Sequence, residues 1–119
     1  MHIVADLAVA LVAVLHAGFL VLEMFLWDTR FGRRTFGLSA EFARASKALA
    51  ANQGLYNGFL AAGLAWGLVL GEDGHAIKVF FLACVIVAGV FGALSVSRRI
   101  LAVQAAPAAL ALVLVLAAR

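Results

Sequence analysis

Residues 76–96 read AIKVFFLACVIVAGVFGALSV, and this nearly uninterrupted apolar run indicates the fold class. Lys78 is its single charged residue, and the run has the length of the roughly 20 apolar residues that a membrane-crossing helix needs. Its apolar side chains follow one another without alternation, which argues against β-strands. Three further apolar runs of similar length occupy residues 5–27, 49–70 and 100–118. The sequence therefore predicts an all-α integral membrane protein, a four-helix bundle in which residues 1–119 form one four-span domain.

The composition favours the same class of protein. Of the 119 residues, 66% are hydrophobic and 13% are charged, whereas a soluble domain is about half apolar and about a quarter charged. A short soluble chain leaves much of its surface exposed and cannot bury such an excess, and the same numbers exclude disorder. Cys84 is the only cysteine, which excludes an intrachain disulfide and a cysteine-rich metal site. The segment Met1–Val4 lacks the basic region of a secretory signal peptide.

The basic residues predict an orientation. Four spans place the first loop, 28–48, and the third loop, around Ser97–Arg99, on one side of the membrane. These loops carry seven basic residues, Arg30, Arg33, Arg34, Arg44, Lys47, Arg98 and Arg99, and the opposite side carries two, Lys78 and Arg119. Because cytoplasmic loops are enriched in Lys and Arg, we expect both loops in the cytoplasm and both termini outside (N-out/C-out). The net charge of +3 then indicates contact with anionic membrane lipid rather than nucleic acid.

The first loop also contains turn and cap signals. Gly32 and Gly37 are predicted to mark turns. Ser39 has the side chain of a good N-cap residue. We therefore expect a helix that starts near Ala40 and runs into the second span.

Two ionisable side chains of the first span share one face. His16 and Glu23 are seven residues apart, which places them about 20° apart around a helix and ~10 Å apart along it. An ionisable residue inside a span is costly and faces the bundle interior or water, so it is a functional candidate. Asp6, near the outer face, is predicted to be isolated.

The second span begins with a polar segment, Asn52-Gln53-Gly54-Leu55-Tyr56-Asn57-Gly58. An antiparallel arrangement brings this segment to the half of the first span that contains Glu23 and His16. The cytoplasmic half of the bundle is therefore predicted to be polar, as a cavity open to the cytoplasm or as a closed polar cluster. The predicted ligand-binding residues are His16, Glu23, Asn52, Gln53, Tyr56 and Asn57.

Small residues lie on two faces of the second span. One face carries Gly54, Gly58, Ala61 and Ala65, and the other carries Gly63 and Gly67. Small residues at this spacing allow helix backbones to approach closely within a membrane. We therefore expect the second span to contact two neighbouring helices.

Three segments resemble a known family. They are Glu23-Met24-Phe25-Leu26-Trp27, Phe36-Gly37-Leu38 and, most specifically, the run from Ala50 to Phe59, AANQGLYNGF. They are similar to the small bacterial membrane proteins of domain-of-unknown-function family 1304, and the resemblance covers most of the chain. It implies a four-span protein of the bacterial inner membrane and no established activity. Some members carry the label epimerase, but this chain has no nucleotide-binding glycine loop and no soluble domain to hold a sugar.

Binding or transport of a small molecule or ion is the leading functional hypothesis, with Glu23 as the protonatable group. A carboxylate in low-dielectric surroundings can exchange a proton for a cationic ligand. The chain is similar to the small multidrug transporters in size, helix number and first-span carboxylate, although architecture does not carry function. The competing interpretation is structural: Glu23 pairs with His16 or with an arginine of the first loop, and the amides of the second span join helices.

Two other functions stay open. His16 and Glu23 could be the acid–base pair of a membrane-embedded enzyme that acts on a lipid-like substrate, or the polar residues could bind a partner helix in a structural or accessory subunit. Haem is disfavoured because His2 and His75 lie outside the spans. His16, Glu23 and amide oxygens provide few ligands for a metal ion. We therefore predict neither a metal nor a cofactor. Because the chain is short, we expect a homo-oligomer.

Overall fold

The structure, a computed structural model, describes residues 2–95 and 98–118. These residues form helices joined by short turns, which confirms the all-α prediction. The elements are α1 (His2–Met24), α2 (Arg30–Phe36), α3 (Ala40–Val69), a 3-10 helix (Gly71–Gly74), α4 (His75–Ser95), α5 (Arg98–Ile100), a π-helical stretch (Leu101–Ala105) and α6 (Ala106–Ala118).

Two helical segments of the described chain are long and apolar enough to cross a membrane. They are His2–Met24 and Gly71–Ser95, and the apolar segment Ala102–Ala118 is shorter. α3 is longer than either, with 30 residues, but it begins with charged residues and contains the polar segment at Asn52–Asn57. Length and composition thus make α1 and α4 the helices best suited to a membrane interior.

The predicted first loop, 28–48, is largely helical. α2 lies within it, and α3 begins at Ala40 and continues to Val69 without a break. The Ser39 hydroxyl accepts a hydrogen bond from the Phe42 backbone N–H at 3.0 Å, so the predicted N-cap and helix start are confirmed.

The two glycines of this segment differ in role. Gly37 ends α2 in the left-handed conformation, with φ 67° and ψ 39°, so the predicted turn is confirmed. The predicted turn at Gly32 is wrong, because Gly32 lies inside α2 and is buried. A Cβ at this position would overlap the backbone carbonyl of Leu26. Glycine is needed here for a close backbone approach rather than for a turn.

Contacts divide the chain into two compact units, and the first comprises Met1–Val14 and Leu60–Arg119. Its core takes side chains from α1, α3, α4 and α6: Ala5, Val9, Val12, Leu64, Leu82, Val85, Ala108, Ala111 and Val115. The spacings of three and four residues within α1, α4 and α6 place these side chains on one face of each helix. On α3, Gly63 and Gly67 lie against α4. A Cβ at Gly63 would overlap the Phe81 ring, and a Cβ at Gly67 would lie 2.6 Å from Lys78 Cγ.

The same unit contains an irregular helix near its C-terminal end. The π-helical stretch ends two residues before Pro107, whose missing N–H removes a backbone donor from the helix. Gly89 of α4 packs against this stretch, since a Cβ there would lie 2.8 Å from the Ala105 backbone nitrogen. In the predicted third loop, Ser97 lies outside the described residues, and Arg98 and Arg99 belong to α5.

The second unit, Leu15–Phe59, is built on a face of α3 that carries small side chains. Ala43, Ala50, Gly54 and Asn57 are buried on this face. A Cβ at Gly54 would lie 2.7 Å from Met24 Cγ, and one at Gly58 would lie 2.5 Å from Leu20 Cδ1. The pairing of position 54 with 24 and of 58 with 20 makes α1 and α3 antiparallel in this unit.

Trp27 attaches the turn after α1 to α3. Its indole N–H donates a hydrogen bond to the Ser46 hydroxyl at 3.0 Å, and its ring lies 4.9 Å from that of Phe36. The Thr29 hydroxyl caps α2 by accepting a hydrogen bond from the Gly32 N–H at 3.2 Å. These contacts fix the turn that follows Glu23.

Replacement of Gly54 by Ala tests the close approach of α1 and α3. The new Cβ would lie 3.2 Å from the backbone oxygen of Leu20, and we expect Gly54→Ala to lower the free energy of unfolding by about 1–3 kcal/mol. Gly18→Ala is the matched control, because among the described residues nothing lies within 4 Å of a Cβ there. Alanine favours helix over glycine by up to ~1 kcal/mol, so the control should be neutral or stabilising in thermal unfolding followed by circular dichroism. Equal effects of the two changes would contradict the packing.

Candidate functional site

The site of the second unit centres on Glu23 and Asn57. Glu23 lies one residue before the end of α1, and Asn57 lies on the small-residue face of α3. The side-chain amide of Asn57 donates a hydrogen bond to Glu23 Oε1 at 2.5 Å. Asn57 is buried, with 5% of its surface exposed, and Glu23 is half-buried. Gly54 permits this bond, because a Cβ there would lie 3.1 Å from Glu23 Cβ.

The partner of Glu23 in this unit is neutral. Within residues 15–59 the ion pair joins Arg33 Nη1 to Asp28 Oδ1 at 3.2 Å, so Arg33 is already paired with another carboxylate. An amide N–H can donate to the oxygen of a carboxylate or of a protonated carboxyl group. The pair is thus compatible with both charge states of Glu23, which is a property that proton exchange requires.

His16 is fully enclosed. It has 0% of its surface exposed, and its ring meets that of Phe19 edge to face with centroids 5.1 Å apart. It shares α1 with Glu23, as predicted. Its imidazole is therefore buried and packs against this phenyl ring.

The other three predicted ligand-binding residues, Asn52, Gln53 and Tyr56, are exposed. Tyr56 has 57% of its surface exposed, and its ring lies 6.0 Å from that of Phe59. Successive helical residues differ by about 100°, so Asn52 and Tyr56 point about 140° and 100° away from Asn57. Of the six predicted residues, the structure joins Glu23 and Asn57 directly by a hydrogen bond.

No metal centre is defined by the part of the chain that the structure describes. In residues 2–95 and 98–118, no group of three or more His, Cys, Asp or Glu side chains is placed to hold a metal ion. Glu23 and Asn57 offer a hydrogen-bonded carboxyl group that can gain or lose a proton.

A second polar contact, in the first unit, was not predicted from the sequence. Asp6 was expected to be isolated, and this prediction is wrong: Lys78 Nζ lies 3.3 Å from Asp6 Oδ1. A signal was present in the sequence. In the predicted four-span topology, spans one and three run in the same direction, and Asp6 and Lys78 both lie near the start of their spans. That topology therefore predicts opposite charges at similar depth.

The model of the family described as Protein of unknown function (DUF1304) matches residues 10–116 of this chain. Neither a curated protein nor a solved structure matches the chain significantly. The match extends over almost the whole chain and includes α1 from Ala10, the polar segment of α3, α4 and most of α6. The chain therefore belongs to the DUF1304 family, as the run AANQGLYNGF had indicated.

Proposed function

We propose that this chain is a four-span protein of the bacterial inner membrane with both termini outside and the segment 28–48 in the cytoplasm. The apolar length of α1 and α4 supports membrane insertion. The distribution of basic residues, seven in the first and third loops against two on the opposite side, supports this orientation. Because the chain is short, with 119 residues, the proposal includes a homo-oligomer in contact with membrane lipid.

We propose further that the protein binds a small cationic molecule or ion at Glu23 in exchange for a proton. The observation that carries this proposal is the half-buried Glu23 carboxyl near the end of an apolar helix, hydrogen-bonded to the neutral amide of Asn57. A carboxylate in such surroundings favours a cation or a proton as counter-charge. The Asn57 amide holds the carboxyl group in place in either state.

This function fits the geometry better than an enzyme that uses His16 and Glu23 as an acid–base pair. General acid–base catalysis requires each group to come within hydrogen-bond reach of the substrate. His16 has 0% of its surface exposed and packs against Phe19, so a substrate would reach it only after the helices separate. Binding at Glu23 requires no such movement.

The proposed topology predicts which side of the membrane each segment faces. In a Cys84→Ala background, Asp73→Cys and Ala45→Cys introduce single thiols at exposed positions of the 3-10 helix and of α3. A membrane-impermeant maleimide should label Asp73→Cys in intact spheroplasts and Ala45→Cys only after the membrane is permeabilised. The reverse pattern would contradict the orientation, and equal labelling of both would contradict a fixed one.

Replacement of Glu23 by Gln tests the exchange of a cation for a proton. Tetraphenylphosphonium is the probe, added to purified protein in weakly buffered detergent while its binding and the pH are recorded. The unchanged protein should release protons as the probe binds, and Glu23→Gln should weaken binding at least ~10-fold, or ~1.4 kcal/mol, and abolish proton release.

Glu41→Gln is the control for this experiment. Glu41 is an exposed carboxylate in the first turn of α3, and its replacement should change neither measurement. Probe binding without proton release, or equal losses in the two variants, would show that Glu23 is not the exchange site.

Replacement of two asparagines of α3 tests whether the ligand contacts only Glu23 and Asn57 or the whole polar segment Asn52–Asn57. Asn57 is buried and bonded to Glu23, whereas Asn52 is exposed. Asn57→Ala should weaken probe binding about 5- to 10-fold and lower stability by about 1–3 kcal/mol, because the carboxyl group loses its buried partner. Asn52→Ala should leave both quantities unchanged. A loss of binding in Asn52→Ala would show that the ligand contacts the whole polar segment.

A further inference from the structure

A cavity in the first unit is lined by charged and titratable side chains. Its volume is about 550 Å³, and it lies among the start of α1, the 3-10 helix, the start of α4 and the end of α6. The polar side chains that line it are those of His2, Asp6, Glu72, His75 and Lys78. This volume falls within the roughly 300–1,000 Å³ that is typical of small-molecule sites.

Lys78 is the best-enclosed charge at this cavity. It has 8% of its surface exposed, and its aliphatic part lies on Gly67 of α3. A Cβ at Gly67 would be 2.6 Å from Lys78 Cγ, and a Cβ at Gly74 would overlap the Gly67 backbone. Two glycines thus bring the start of α4 against α3 and create the space that the lysine occupies.

The hydrogen bond to Asp6 uses one of the three N–H donors of the Lys78 ammonium group. Lys78 Nζ donates one hydrogen bond to Asp6 Oδ1 at 3.3 Å, and an ammonium group has three N–H donors. The Asp6 side chain is 48% exposed, against 10% for Lys78. Lys78 can therefore hold a second acceptor while Asp6 keeps an open side toward a ligand.

The stability of the fold does not explain why position 78 is a lysine and not an apolar residue. A buried ion pair is often no more stable than well-packed apolar residues, because desolvation offsets the attraction. Lys78 also lies in the first turns of α4, where the helix dipole disfavours a cation. An apolar side chain would suit the helix better, so the charge is better explained by a ligand.

We propose that this cavity binds a zwitterion whose anionic group contacts Lys78 and whose primary ammonium group contacts Asp6 and Glu72. One cationic and two anionic side chains at one cavity match a ligand that carries both signs of charge. A phosphoethanolamine group has this chemistry and can come from a lipid headgroup or from the free compound. The headgroup source rests on the proposed membrane location, because the ends of α1, α4 and α6 would then lie at the membrane surface.

Titration of the purified protein with free O-phosphoethanolamine tests the site. Calorimetry in detergent should show binding that is at least ~10-fold tighter than that of inorganic phosphate or ethanolamine alone, a difference of ~1.4 kcal/mol. Lys78→Met should weaken this binding at least tenfold. Lys47→Met, at the only other lysine and an exposed one, should leave it unchanged.

A second variant and a lipid-binding measurement in nanodiscs complete the test. If Lys78→Met does not fold, Asp6→Asn in the folded protein should reduce the preference for O-phosphoethanolamine over inorganic phosphate. In nanodiscs, retention of phosphatidylethanolamine over phosphatidylglycerol that depends on Lys78 identifies the lipid source, and binding of the free compound alone identifies the soluble source. Absence of binding in both arms, or equal losses in Lys47→Met and Lys78→Met, would overturn the proposal. Glu23→Gln should have no effect here, so failure of the exchange site leaves this result interpretable.

Discussion

Close approach of helix backbones is the constraint on which both polar contacts depend. In the second unit, Gly54 and Gly58 allow α1 to lie against α3, and the Glu23–Asn57 hydrogen bond forms beside them. In the first unit, Gly67 and Gly74 allow the start of α4 to approach α3, and Lys78 reaches Asp6. Apolar surroundings make an unpaired polar group expensive. The glycines therefore determine which polar groups can be satisfied.

Much of the fold could be predicted because it follows from local signals. Long apolar runs predict α1 and α4, Ser39 predicts the start of α3, and Gly37 predicts the turn before it, whereas the short helix α2 is not predicted. The two small-residue faces of α3 were also predicted, and the structure shows one against α1 and the other against α4 within their units. Gly32 was misread because turn propensity and close backbone contact select the same residue, and sequence alone does not separate them.

The site could be predicted less completely, for a geometric reason. Periodicity selects Glu23 as a candidate, but four polar residues within six positions of a helix must point in several directions. Only Asn57 combines the right angle and depth to reach Glu23, whereas Asn52 and Tyr56 are exposed. The Asp6–Lys78 pair is not visible in either apolar run by itself, because its two charges come from different runs. The pairing can be predicted only when the two runs are compared in the predicted four-span topology.

The π-helical stretch at Leu101–Ala105 has a consequence for the phase of the last helix. A π-helical turn closes its hydrogen bond over one residue more than an α-helical turn. The angle around the helix axis between Arg98–Arg99 and the buried stripe Ala108–Ala111–Val115 therefore differs from that in a continuous α-helix. The difference is about one residue, or about 100° of rotation. Deletion of one residue between them would let this segment close as an α-helix while the arginines and the buried stripe both kept their azimuths.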